Sequence, residues 1–366
     1  MTSNTKDLQV TRQDGFTRRQ FIKTTALGIA AAGSGSLMFP DDSIAKPKQI
    51  VYANWGGDSV RCAMEAYGKG FTEKTGVKVV IDGTGPLEGK IKAMVEAKNV
   101  TWDLAEADPW SSYRLGRQGM LEPIDYSIVD KSKIMAPYAE KYGALCYTFA
   151  YGLTYNAKKF GNDAPKSWAD FWNIKKYPGK RALYKWMHGA LEAALMADGV
   201  PPNKLYPLDV ARAHKKIKEI KDHLIFWASG SESQQMFLQN EIVMGELWTT
   251  RAIVLERDTN SRIRFTWNQA IFSPSPYCVP KGNPAGPEWA MRFIAYAQDP
   301  NSQIEYLKCT GQGPANPATN KLLTPELKRI NSSDPDNMKL MVPTDVDYYS
   351  KHYDEQLNQY LDMIST

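Results

Sequence analysis

QIVYANW, residues 49–55, alternates in the manner of a strand and runs into Gly56-Gly57-Asp58. A period of two closed by glycine marks a strand entering a turn. A helical pattern follows through Phe71 and stops at Thr75-Gly76, where Gly76 supplies the left-handed cap. VKVVIDG (77–83) is a β-branched strand closed by glycine, Leu87 to Lys98 reads as a helix, and DLAEAD (103–108) as a third strand meeting Pro109-Trp110. Strand and helix in strict alternation imply a parallel sheet with crossover helices.

The pattern restarts after Tyr155. Ser167 caps a short turn in SWADFW, Arg181–Tyr184 is a strand, and Gly189–Asp198 a helix ended by Gly199. Leu208–Lys221 is a basic amphipathic helix, Ile225–Trp227 a strand, Glu232–Leu238 a helix and Ile242–Leu247 a strand leading into a helix from Thr250. This is a second α/β unit. Phe265–Trp267 and IFSPSPYCVP (271–280), broken by three prolines, lead to helices at Glu288–Ala297 and Asn301–Lys308. Beyond Lys321 the chain is polar and helical in patches.

Residues 1–45 lie outside that α/β pattern. Thr17-Arg18-Arg19-Gln20-Phe21-Ile22-Lys23 is a twin-arginine export signal, followed by an Ala/Gly-rich apolar stretch and the small-x-small cleavage site Ser43-Ile44-Ala45. The apolar stretch falls short of the roughly 20 residues that span a bilayer. The expected location is the periplasm. The leader carries five basic and four acidic residues, so its removal lowers the formal charge of +5 by one. No concentrated basic stripe remains to bind nucleic acid. The mature length exceeds what one core usually organises, so two lobes are expected. The four cysteines, Cys62, Cys146, Cys278 and Cys309, have no metal spacing and allow three pairings, with buried thiols equally open.

Ligands of open α/β sheets bind beyond the carboxyl ends of the strands. Those ends here are Asn54-Trp55, Asp108-Pro109-Trp110, Lys185-Trp186, Trp227-Ala228-Ser229 and Trp248-Thr249-Thr250-Arg251, each with an aromatic residue. Catalytic constellations do not emerge: the mature chain has no nucleophile elbow and no Walker-A loop, and its four histidines are scattered. A binding protein is expected rather than an enzyme, with no cofactor and no metal.

FTEKTGVKVV (71–80), SWADFW (167–172), VMGELWTTRA (243–252) and WAMRFIAYAQDPNSQIEYLKCTGQGPANP (289–317) resemble the periplasmic solute-binding proteins of ABC importers, nearest the spermidine/putrescine-binding branch. The resemblance spans nearly the whole mature chain. It implies a two-lobed α/β fold of type II with two crossing strands as hinge, near Tyr151–Tyr155 and Ile271–Tyr277. It also implies a ligand held in the interlobe cleft, delivery to an inner-membrane permease, and a monomer. The lobes would comprise 46–152 with 276–320, and 153–275, with 321–366 packing on both.

The polyamine binders grip their ligand with an aromatic box and carboxylates. Trp55 and Trp248 match tryptophans of that box, and Trp110 falls where the family has tyrosine. The carboxylates do not carry over: the family's acidic pair falls near Trp186 and Gly189, and its later acid near Ser275. Arg251 stands where the family has a small or apolar residue. A guanidinium is the natural partner of a carboxylate or phosphonate, so the expected ligand is a small organic anion or zwitterion, such as an ω-amino or guanidino acid. The implied ligand-binding residues are Trp55, Asp58, Asp108, Trp110, Trp186, Ser229, Trp248, Arg251 and Ser275. Polyamine binding by other acids (Asp58, Glu232 or Glu246) is the alternative, and a periplasmic enzyme or chemoreceptor partner the third.

Overall fold

The computed structural model describes residues 45–365; the stretch Thr17–Lys23, expected to be an export signal, lies outside them. Among the described residues eleven strands form the sheet system: β1 (Gln49–Ala53), β2 (Lys78–Asp82), β3 (Leu104–Glu106), β4 (Leu121–Glu122), β5 (Ala144–Asn156), β6 (Arg181–Tyr184), β7 (Leu224–Trp227), β8 (Met244–Trp248), β9 (Ile263–Pro280), β10 (Gly313–Pro314) and β11 (Val342–Pro343). The main path runs β2-β1-β3-β9-β5-β8-β6-β7. β1 pairs β2 and β3 in parallel, and β6 pairs β7 and β8 in parallel. Two parallel α/β halves thus flank an antiparallel centre made by the two long strands β5 and β9.

These long strands belong to both halves. β9 pairs β3 through Ala105↔Cys278, and its start pairs the end of β5, which itself pairs β8 from Tyr151 to Tyr155. The proline-rich run does not break β9. The Pro276 carbonyl accepts from Ala107 N at 2.9 Å, so the ring nitrogen faces the side where β3 has already ended at Glu106. Pro274, two residues earlier, shares that orientation, and no donor toward β5 is lost.

Each half has its own apolar core. Ile50, Tyr52, Phe71, Val79, Leu104 and Phe293 pack in the first. Leu153, Phe171, Leu183, Leu191 and Ile217 pack in the second. Ser167 caps the helix Trp168–Trp172 in a capping box, and Gly76 ends Lys69–Thr75 at φ 69°. Cys62, on the helix Asp58–Ala63, is disulfide-bonded to Cys309, on the helix Pro300–Thr310; Cys146 and Cys278 are buried thiols.

The final helix, Val346–Ser365, is longer than the helical patches expected there and touches both halves. Arg114 Nη1 donates to Asp354 Oδ1 at 2.9 Å on one side. On the other, Tyr349 Oη donates to Glu192 Oε1 at 2.7 Å and Tyr360 Oη to Tyr184 O at 2.9 Å. Among the described residues no helix is long and apolar enough to cross a membrane.

Candidate functional site

The carboxyl ends of β1, β3, β6, β7 and β8 converge on a cleft floored by β5. An inner cavity is lined by Trp55, Asp108, Trp248, Arg251 and Ser275 together with Tyr147, Phe149, Tyr151 and Tyr184. Trp248 sits among the rings, with centroids 6.4 Å from Trp55, 6.3 Å from Phe149 and 5.6 Å from Tyr184. Ser59, Thr250 and Gln312 complete the wall. An adjoining outer cavity shares Trp55, Asp108, Tyr184 and Trp248, and adds Trp110, Trp186, Ser229 and, from the last helix, Tyr353 and Leu357.

Arg251 enters from the first turn of the helix Thr249–Asp258, which follows β8 directly. Thr249 Oγ1 accepts from Ala150 N on β5 at 3.0 Å and anchors that turn. A cation at a helix N-terminus opposes the helix dipole, so the position needs another reason. The side chain is only 7% exposed. Its Nη2 donates to Gly56 O at 3.4 Å, its Nε has no hydrogen-bond partner, and among the described residues it forms no ion pair. Burial draws its pKa down, opposed first by the field of Asp58. Glu106, the buried carboxyl nearby, is already engaged by the Tyr52 hydroxyl and by Tyr147 Oη at 2.9 Å. Burial raises Glu106 to about 7.

Asp108 caps no amide of the helix Pro109–Arg117 and keeps its carboxylate free toward both cavities. Burial, then the charge of Glu88, pushes its pKa up to about 7. The inner cavity is therefore bipolar, with an unpaired guanidinium and an unbonded carboxylate between aromatic walls.

The sequence-derived residues separate into groups. Trp55, Asp108, Trp248, Arg251 and Ser275 line the inner cavity; the Ser275 hydroxyl is committed to Ala107 O at 3.1 Å. Trp186 and Ser229 line only the outer cavity, where Trp186 Nε1 donates to Ala228 O at 3.2 Å and Ser229 caps the helix Gly230–Leu238. Trp110 also stays out of the inner cavity: it is buried and stacks on Tyr353 at 4.9 Å, because the last helix occupies the face where a ligand was expected. Asp58 lines neither cavity; as the half-buried first residue of its helix it acts on Arg251 only through its field. The strand-end reading missed Tyr147, Phe149 and Tyr151, which are mid-strand on β5. Their spacing of two residues, which puts them on one face, was the available signal.

Two glycines shape the slot for Arg251. A Cβ on Gly57 would stand 3.1 Å from Nη1, and one on Gly230 would stand 2.4 Å from Nε and 3.0 Å from the Trp248 ring. Gly230→Ala therefore displaces both side chains; we expect ligand affinity to fall by about tenfold or more, with the fold intact, in titration calorimetry.

The sequence profile of the bacterial extracellular solute-binding proteins matches residues 66–335. This chain belongs to that family. The solute-binding protein is 28% identical over 325 residues to the gamma-aminobutyric acid-binding protein of Pseudomonas aeruginosa, covering 87% of this chain and 92% of that one. It is 24% identical over 279 residues to the spermidine/putrescine-binding periplasmic protein of Escherichia coli K12, covering 73% and 78%. The solved structure of the Atu4243–GABA receptor superposes on it with a TM-score of 0.78 at 34% identity, covering 86% of this chain and 97% of the other. The two-lobed type II fold and the solute-binding role follow for this solute-binding protein, whose relatives are components of transporters.

Proposed function

We propose that this protein captures a small ω-amino or guanidino acid, with the carboxylate on Arg251 and the ammonium or guanidinium end on Asp108. The observation that carries the reading is Arg251 itself, a buried guanidinium without an ion-pair partner, at a helix N-terminus and facing a cavity that Asp108 also lines. The names of the two similar GABA-binding proteins support the same ligand class. Polyamine binding has less support. Asp58, Glu232 and Glu246, the acids that could have replaced the missing ones, line neither cavity; Glu232 caps Ala228 N and Glu246 accepts from Tyr184 N.

The ligand draws the lobes together because it touches residues of both, and an inner-membrane permease then reads the closed form. In this reading the lobes are 46–152 with 276–320, and 153–275, with β5 and β9 crossing between them. Export by the twin-arginine route to the periplasm, a monomeric state and the absence of catalysis belong to the same proposal. Micromolar binding corresponds to about 8 kcal/mol. The test is a thermal-shift series with 4-aminobutyrate, guanidino acids, putrescine and spermidine. A ligand at 100 times its Kd stabilises by about 2.7 kcal/mol. Stabilisation by the diamines alone would overturn the proposal.

The reading also has a pH signature. Asp108 titrates near 7 in the free protein, and an ammonium favours its ionised form. Binding then releases a proton, so affinity falls as pH drops through 7, by up to tenfold per unit. Glu106, also near 7, acts with the opposite sign, because a ligand carboxylate favours its protonated form. The difference between wild type and Asp108→Asn isolates the first effect: calorimetry from pH 8 to 6 should show weakening in wild type relative to the variant. Parallel profiles would place the cationic end elsewhere.

A further inference from the structure

Arg251 reaches across the cleft. It stands on the helix after β8, yet its one hydrogen bond is to Gly56 O, after β1 in the other half of the sheet, and its guanidinium is slotted between Gly57 of that half and Gly230 of its own. The arrangement shuts the guanidinium away from water while offering it no carboxylate. Every acid near it is discounted: Glu106 is held by two tyrosine hydroxyls, and the half-buried Asp58 acts on it only through its field, forming no ion pair with it and lining neither cavity. The remaining neighbours, Tyr147 and Tyr306, are neutral phenols whose ionisation burial opposes.

From this geometry, and resting on the ligand orientation proposed above, we infer that closure is gated by negative charge: the closed cleft is stable only when an anion sits on Arg251. An open cleft leaves the guanidinium hydrated. Closing without an anion buries an uncompensated cation, whereas closing on a carboxylate supplies the missing partner. The protein thus rejects a neutral ligand of the right shape at the closing step, and a permease that reads the closed form does not see it. The substrate class is correspondingly narrow, requiring a full negative charge at the inner end. Gly57 and Gly230 are positioning residues for the gate, since either side chain would push the guanidinium out of its slot.

The experiment follows the radius of gyration of the purified protein by small-angle X-ray scattering. Three additions are compared in the wild type: 4-aminobutyrate, its neutral amide 4-aminobutyramide, and acetate alone. Arg251→Met is measured without any addition, with Arg251→Gln as a second variant should the first fail to fold. Expected are contraction with 4-aminobutyrate, partial contraction with millimolar acetate, none with the amide, and a variant that is contracted without ligand. The amide should bind about 100-fold more weakly than the acid. Closure by the amide equal to that by the acid, or a ligand-free variant as open as the wild type, overturns the gate. If 4-aminobutyrate does not bind, the ligand reading fails, and the acetate and variant arms still decide the gate.

Discussion

Replacing Arg251 by alanine is expected to weaken 4-aminobutyrate binding by several hundred-fold or more. A ligand carboxylate left buried without a partner costs about 3–5 kcal/mol. The ligand-free protein should lose little stability, because the side chain removed makes one 3.4 Å hydrogen bond and no ion pair. Those two outcomes separate a ligand contact from a structural one. Calorimetry gives the first and a thermal melt the second. A loss of affinity below tenfold would mean that the carboxylate lies elsewhere, and a large fall in melting temperature would mean that Arg251 supports the fold.

Reducing the Cys62–Cys309 bond should have the largest effect on stability. The bond closes a sequence separation of 247 residues, and a loop of that size contributes about 3–5 kcal/mol by restricting the unfolded chain. For a chain of this length that corresponds to roughly 10 °C in melting temperature. The bond has a local role as well. Ser59, in the same helix as Cys62, and Gln312, just beyond the helix that carries Cys309, both line the inner cavity. Reduction should therefore also weaken ligand binding, by about tenfold. Melts with and without dithiothreitol, repeated on Cys62→Ser, test both effects. Melting temperatures within 2 °C of each other would show that native packing alone holds the two helices. The buried thiols of Cys146 and Cys278 leave the comparison undisturbed.

The sequence already showed the two α/β halves, most strand limits to within a residue or two, the Gly76 and Ser167 caps, and five residues of the inner cavity. These features are local. A strand announces itself by a period of two and a helix by 3.6, and a cap depends on two or three neighbouring residues. The full length of β9 escaped the periodicity, and only the resemblance implied a crossing strand near Ile271–Tyr277, because proline is disfavoured in a strand only where its nitrogen should donate, and that depends on which neighbour the edge faces. Trp110 was placed at the ligand because a strand-end tryptophan looks the same whether open space or the last helix covers it.

Residue types and periodicity thus determined the α/β class by themselves, and the resemblance to the solute-binding proteins supplied the binding role and singled out the arginine after β8. Only the tertiary structure decided what Arg251 meets and which cysteines pair. Arg251 lies 195 residues from Gly56, and Cys62 lies 247 from Cys309. Contacts over such separations are chosen by the packing of two halves around shared strands, and no local period records them. The same packing buries the guanidinium without an acid, and in that way a residue legible in the sequence becomes a site with a charge requirement.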